Sequence, residues 1–191
     1  MGRRRMDESS GDAADYYVIS PTESEIYTAM RAWLLEILPS GMRVIQGQQN
    51  RQAAPRDPFA VMTIIGRERI ATNGWTYDGT STRTVTEQVR ITMQISLFGP
   101  ASSNQMQLVT ALWRDMQAVD YFRSQSVPVC PLTTSTTRQL GFITGERQYE
   151  DCWSVDLSMQ VNLTVKIPQT FSGQIPSIEL NEATLGTRTT E

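Results

Sequence analysis

The sequence predicts an α+β domain: a mostly antiparallel sheet with two helices packed on one face. Three observations predict it. Val85 to Leu97 and Trp153 to Ile167 alternate apolar and polar residues almost without a break, as half-buried strands do. Residues 21–38 and 103–119 instead repeat apolar side chains at helical spacing. The resulting order is helix, strand, strand, long strand, helix, strand, long strand, which lacks the regular strand-helix alternation of a parallel sheet.

In chain order, residues 1–19 mix Arg3, Arg4 and Arg5 with an acidic, small-residue stretch. That composition offers too little apolar area to offset its ordering entropy, so 1–19 reads as a flexible N-terminal tail. Ser20-Pro21-Thr22-Glu23 signals a helix start, with Ser20 at the N-cap, Pro21 at the first helical position and Glu23 completing a capping box. Ile26, Met30, Trp33, Leu34, Ile37 and Leu38 form the apolar stripe, and Pro39 and Gly41 end it. Met42 to Gln46 is a short strand candidate, followed by a polar loop, 46–58. Phe59 to Ile65 is apolar on both alternations, as expected of a central strand covered on both faces, and Gly66 permits a bulge. A second polar loop, 66–80, carries the turn dipeptides Asn73-Gly74 and Asp78-Gly79.

In the first long strand Val85, Val89, Ile91, Met93, Ile95 and Leu97 share a face that only Glu87 interrupts. Gly99-Pro100 stops it, Ser102 and Gln105 offer a second capping box, and Met106, Val109, Leu112, Trp113, Met116 and Val119 make the second helical stripe. A proline-bearing loop, 127–132, leads to a weaker strand over 138–147. In the last strand eight apolar residues from Trp153 to Ile167 face one way, and Ser154, Asp156 and Ser158 are expected to point outward and tolerate change. Beyond it 168–191 turns polar while keeping Ile175, Ile178, Leu180 and Leu185, and reads as a C-terminal arm or disordered tail. The predicted organisation is therefore one domain, 20–167, between two extensions.

Composition narrows the function. No apolar run approaches the roughly 20 residues a bilayer span needs, so no membrane partner is expected. The chain contains no histidine, which removes Ser-His and Cys-His nucleophile pairs and His-ligated zinc. Cys130 and Cys152 lack metal or redox spacing and read as small buried residues. Glu146, Glu150, Asp151 and Asp156 form no defined acid-base pair, and there is no P-loop or GxGxxG. No catalytic, cofactor or metal residue is expected, and a small metal-dependent hydrolase is only a remote alternative. The formal charge of -3 argues against a nucleic-acid-binding chain.

Length adds a constraint. A 15-residue strand spans about 50 Å at roughly 3.3 Å per residue, whereas a compact domain of this size is only about 40 Å across. Either the strand bends or its end projects to meet another subunit. The second option makes Val165, near the far end, a candidate seam residue. The polar loops flank a rigid strand and are rich in amide and Arg donors, making Gln48, Asn50, Arg51, Asn73, Trp75 and Tyr77 the candidate contact residues.

Gln46-Gly47-Gln48-Gln49-Asn50-Arg51, then Pro58-Phe59-Ala60-Val61-Met62-Thr63, then Gly66-Arg67-Glu68-Arg69-Ile70-Ala71-Thr72-Asn73 with Thr76-Tyr77-Asp78, resemble the phage neck or tail terminator family. The resemblance spans roughly residues 22–166. It implies a virion structural protein without catalysis, similar to the tail terminators of lambda-like phages. It also implies a homo-oligomeric ring, a hexamer, that caps the tail-tube protein and meets the head-tail connector or neck protein while DNA passes through its lumen. Such a ring would assemble in the host cytoplasm. Another head-tail adaptor, a tail-tube protein or a baseplate component is the alternative within the same class.

Overall fold

The two long alternating stretches pair with each other. The computed structural model describes residues 17–48, 55, 57–79, 82–143 and 149–168. In chain order its elements are β1 (Val18–Ser20), α1 (Glu23–Ile37), β2 (Arg43–Gln46), β3 (Phe59–Arg69), β4 (Gly74–Tyr77), β5 (Thr82–Phe98), α2 (Ser102–Trp113), α3 (Met116–Ser124), β6 (Val129–Thr134), β7 (Arg138–Ile143) and β8 (Tyr149–Pro168). β5 and β8 run antiparallel from Thr82↔Pro168 to Phe98↔Cys152 with no shift of register. Seventeen residues of β5 give this central ribbon a length of about 55 Å at the usual rise.

Shorter strands line both edges of the ribbon. On β5 lie β3 and then β4, both antiparallel, while β2 joins β3 in parallel. On β8 lie β7, β6 and β1, all antiparallel. The domain is thus α+β with a mostly antiparallel sheet. The register of β3 slips between Ile64 and Gly66 as the glycine suggests, and next to that bulge the Ile64 N–H donates to the Tyr27 phenol oxygen at 2.9 Å. β3 is not covered on both faces, since Ile65 is half exposed.

Alternation puts Val89, Ile91, Met93, Ile95 and Leu97 of β5 beside Val161, Met159, Leu157, Val155 and Trp153 of β8. All but the half-buried Trp153 are buried, and they meet Ile26, Met30, Trp33 and Leu34 of α1, Met106, Val109 and Trp113 of α2, and Phe122 of α3. Trp33 and Trp113 meet edge-to-face at 5.1 Å, with the Phe122 ring 6.2 and 6.0 Å from them. Their indole N–H groups stay satisfied, Trp33 donating to Gln117 Oε1 and Trp113 to the Ser158 carbonyl. On the opposite face Gln94 donates to Asp156, Ser96 to Ser154 Oγ, and Arg138 pairs with Asp156. Ser154 there is fully buried, so the expectation that it points to solvent is wrong.

Three helices form rather than two. The predicted 103–119 helix breaks at Arg114, because Asp115 turns extended and its side chain caps Gln117 N at 3.0 Å, restarting the chain as α3. The Ser102/Gln105 box does not form either. Ala101, in the left-handed region, is the N-cap of α2, so Ser102 is already helical and turns its hydroxyl into the core. The first helix starts two residues later than expected, after a cis Ser20-Pro21 peptide. There Thr22 and Glu25 make the box: the Thr22 N–H donates to Glu25 Oε2 at 2.6 Å and the Glu25 N–H to Thr22 Oγ1 at 3.3 Å. Strands β4 and β6 occupy stretches expected to be loops. Cys152 is buried as expected, whereas Cys130 is exposed.

The Thr22 backbone and hydroxyl bonds hold the Glu25 carboxyl below its ordinary pKa. A depressed carboxyl stabilises the fold above its unfolded pKa and loses that contribution as pH falls through the lowered folded value. Glu25→Ala should therefore lower Tm at neutral pH, with the gap to the parent closing on acidification. Parallel thermal melts across a pH series check this.

Candidate subunit interface

The helices stop short of one end of the ribbon. α1 enters over the sheet at Glu23, whose carboxylate pairs with Arg67, and Arg67 lies opposite Ile91 in the β3–β5 register. Farther out, the rows Glu87↔Leu163, Val85↔Val165 and Arg83↔Ile167 continue the core face, with Leu163 still packed against the buried cluster and the last two rows past it.

Short strands widen this projecting end. In β4, Gly74-Trp75-Thr76-Tyr77 suits a pleated surface, and period two sets Trp75 and Tyr77 on the same side. Trp75 lies opposite Val85, and Tyr77 opposite Arg83. Ile19 of β1 lies opposite Val165. The pairings align Trp75, Val85, Val165 and Ile19 in one row across four strands, with Tyr77, Arg83 and Ile167 in the next. Trp75 is 61% exposed, Ile19 49% and Tyr77 42%, and the Trp75 and Tyr77 rings touch edge-to-face at 5.0 Å. Arg83 Nε is buried with no hydrogen-bond partner among the described residues.

Of the residues predicted from sequence, Trp75, Tyr77 and Val165 come together here, with Asn73 exposed in the turn before β4. Gln48 belongs to another group. It is exposed with φ 61° and lines a cleft of about 440 Å³ with Glu23, Gly66 and Arg67. Asn50 and Arg51 lie outside the described residues. Sequence reasoning missed Ile19, which fell in the predicted tail, and did not select Val85, Arg83 or Ile167 from their alternation.

A further cleft, of about 520 Å³, separates α1 from residues 125–128. Its Tyr121 phenol is shifted up by burial and then by the Glu36 carboxylate. No cluster of three metal-ligating side chains occurs among the described residues, and none of their helices is long and apolar enough to cross a membrane. The most conspicuous feature is the partly exposed apolar row at the end of the ribbon.

A family model described as phage neck terminator protein matches residues 24–188. The chain belongs to that family. It is a tail-terminating structural protein of the phage neck, a component of the virion, and the family match runs past the last described strand into the C-terminal segment. No curated protein matches the chain. Among solved structures, the cryo-EM structure of the sheath/tube terminator of PVC, an extracellular contractile injection system, in its extended state is similar at 11% identity and a TM-score of 0.37. The match covers 86% of this chain and 65% of that one.

Proposed function

We propose that this neck terminator is a non-catalytic subunit of a hexameric ring that closes the tail tube and joins it to the head. Its neighbours are further copies of itself, the tail-tube protein below and the head-tail connector or neck protein above. Phage DNA passes through the lumen without specific binding, for which a net charge of -3 offers no electrostatic grip. Assembly takes place in the host cytoplasm. Residues 20–167 carry the ring, with 1–19 and 168–191 as extensions to its partners, of which Val18, Ile19 and Pro168 already join the sheet. Gln48, Asn50, Arg51, Asn73, Trp75, Tyr77 and Val165 are the contact residues, the last three forming the seam between copies.

The observation that carries this reading is the apolar row at the projecting end of the β5–β8 ribbon. In a lone chain it is an open invitation to aggregate, and burial in a closed ring removes that hazard. Interface aromatics of this kind cost about 2 kcal/mol or more each on truncation, so Trp75→Ala with Tyr77→Ala should weaken the seam by roughly three decades. The expected variant folds with native circular dichroism but sediments as monomer where the parent forms rings, and fails to join tails to heads in a complementation assay. Rings and infectivity equal to the parent's would sink the proposal.

A further inference from the structure

The apolar row needs an occupant, and the chain carries a suitable one. We infer that the C-terminal segment of one copy, residues 169–191, lies across the Trp75–Val85–Val165–Ile19 row of the next copy. The inference rests on the ring reading and specifies what fills the seam.

Four observations point to this segment. First, β8 ends at the patch, since Pro168 pairs with Thr82 one residue beyond the Arg83↔Ile167 row. The segment therefore begins at the tip of the ribbon, beside the patch. Second, the segment has the chemistry the patch lacks: Ile175, Ile178 and Leu180 lie within six positions, about 20 Å of extended chain. The half-buried rows from Glu87 to Arg83 span only about 14 Å by the same rise. Third, Glu179 stands among those apolar residues and Glu182 two positions past them, while Arg83, in the midst of the patch, has a buried Nε with no partner among the described residues. A carboxylate arriving with the apolar side chains would satisfy it. Fourth, the family match continues to residue 188, so the segment belongs to the pattern of the neck terminator and is not an appendage peculiar to this chain.

Exchange of such arms also explains why the half-buried rows sit at the end of the ribbon where β8 ends. Each copy would donate its segment forward and receive one from behind, a head-to-tail contact that closes when the rotation between copies closes.

Cysteine pairing tests this. In a Cys130→Ser background, chains carrying Val85→Cys are mixed with chains carrying Ile175→Cys, Ile178→Cys or Leu180→Cys, assembled and oxidised. Circular dichroism and electron microscopy monitor folding and ring formation. The expected result is rings and a disulfide-linked two-chain adduct from at least one mixture, with none from chains carrying Val85→Cys alone. A chain ending at Pro168 should fold yet form no rings. Rings without an adduct in any mixture overturn the inference and leave the ring reading standing. Cross-links confined within single chains, in a variant with both cysteines, show that the segment folds back on its own patch and also overturn it. Failure of the unmodified chain to form rings removes the ring reading and this inference with it.

Discussion

Leu157→Asp is expected to leave the chain unfolded. Leu157 is fully buried at the middle of β8, between Met93 of β5 and Thr134 of β6. Removing its side chain alone, as in Leu157→Ala, should cost about 2–5 kcal/mol, because atoms are lost from apolar surroundings and the well-packed site collapses only in part. Aspartate adds a carboxylate that either stays charged without a partner or takes up a proton, and each course costs further free energy. Against a total stability of about 5–15 kcal/mol, the sum takes away most or all of what holds an ordinary domain folded. Far-ultraviolet circular dichroism and urea titration of the two variants decide the matter: the alanine chain should fold with a lowered midpoint, and the aspartate chain should lack a cooperative transition.

The elements that local pattern specifies were legible in the sequence. β5 and β8 declare themselves by period two, and both extend a few residues past the bounds that alternation sets because pairing with a partner strand continues into the turns. α1 is placed correctly, but its start is not. Ser20-Pro21-Thr22-Glu23 and Thr22-Ile26 both fit capping patterns, and the choice between them is made far away in sequence, where Ser20 pairs with Thr164 and is held in a strand. The predicted second helix overran because its apolar stripe continues through the cap at Asp115, one polar residue that local spacing reads as solvent-facing. β6 was hidden by Pro131, which a strand at the sheet edge tolerates because one side of its backbone needs no partner. β4 was hidden by the turn dipeptides on either side of it, although Trp75, Thr76 and Tyr77 are strand formers.

The same division applies to the interface. Trp75, Tyr77 and Val165 could each be selected by residue type or by position in a strand, and period two pairs Trp75 with Tyr77, but no local signal places Val165 beside them. Their meeting depends on two registers, Trp75↔Val85 within the β4–β5 hairpin and Val85↔Val165 between strands separated by a long stretch of chain. Ile19 is the clearest loss. Its neighbours have the composition of a tail, and only the edge that β8 offers makes it part of the sheet.

Val165→Asp separates the fold from the assembly. Val165 lies on the same strand and the same face as Leu157, yet it is only partly buried, flanked by Ile19 and Val85 beyond the reach of the helices. A carboxylate there can stay hydrated in the isolated chain, so the cost to folding is mainly strand propensity, at most about 1 kcal/mol. In the proposed ring every seam would have to bury that carboxylate against apolar side chains, at a cost of a few kcal/mol repeated in each copy. The nearby Arg83 does not rescue it by default, because Arg83 and Val165 lie in adjacent rows on different strands and the seam must still desolvate both. The expected chain therefore melts close to the parent with normal circular dichroism and sediments as a monomer. If it instead unfolds as Leu157→Asp does, the projecting end belongs to the subunit's own core; if rings form undiminished, the seam lies on another face.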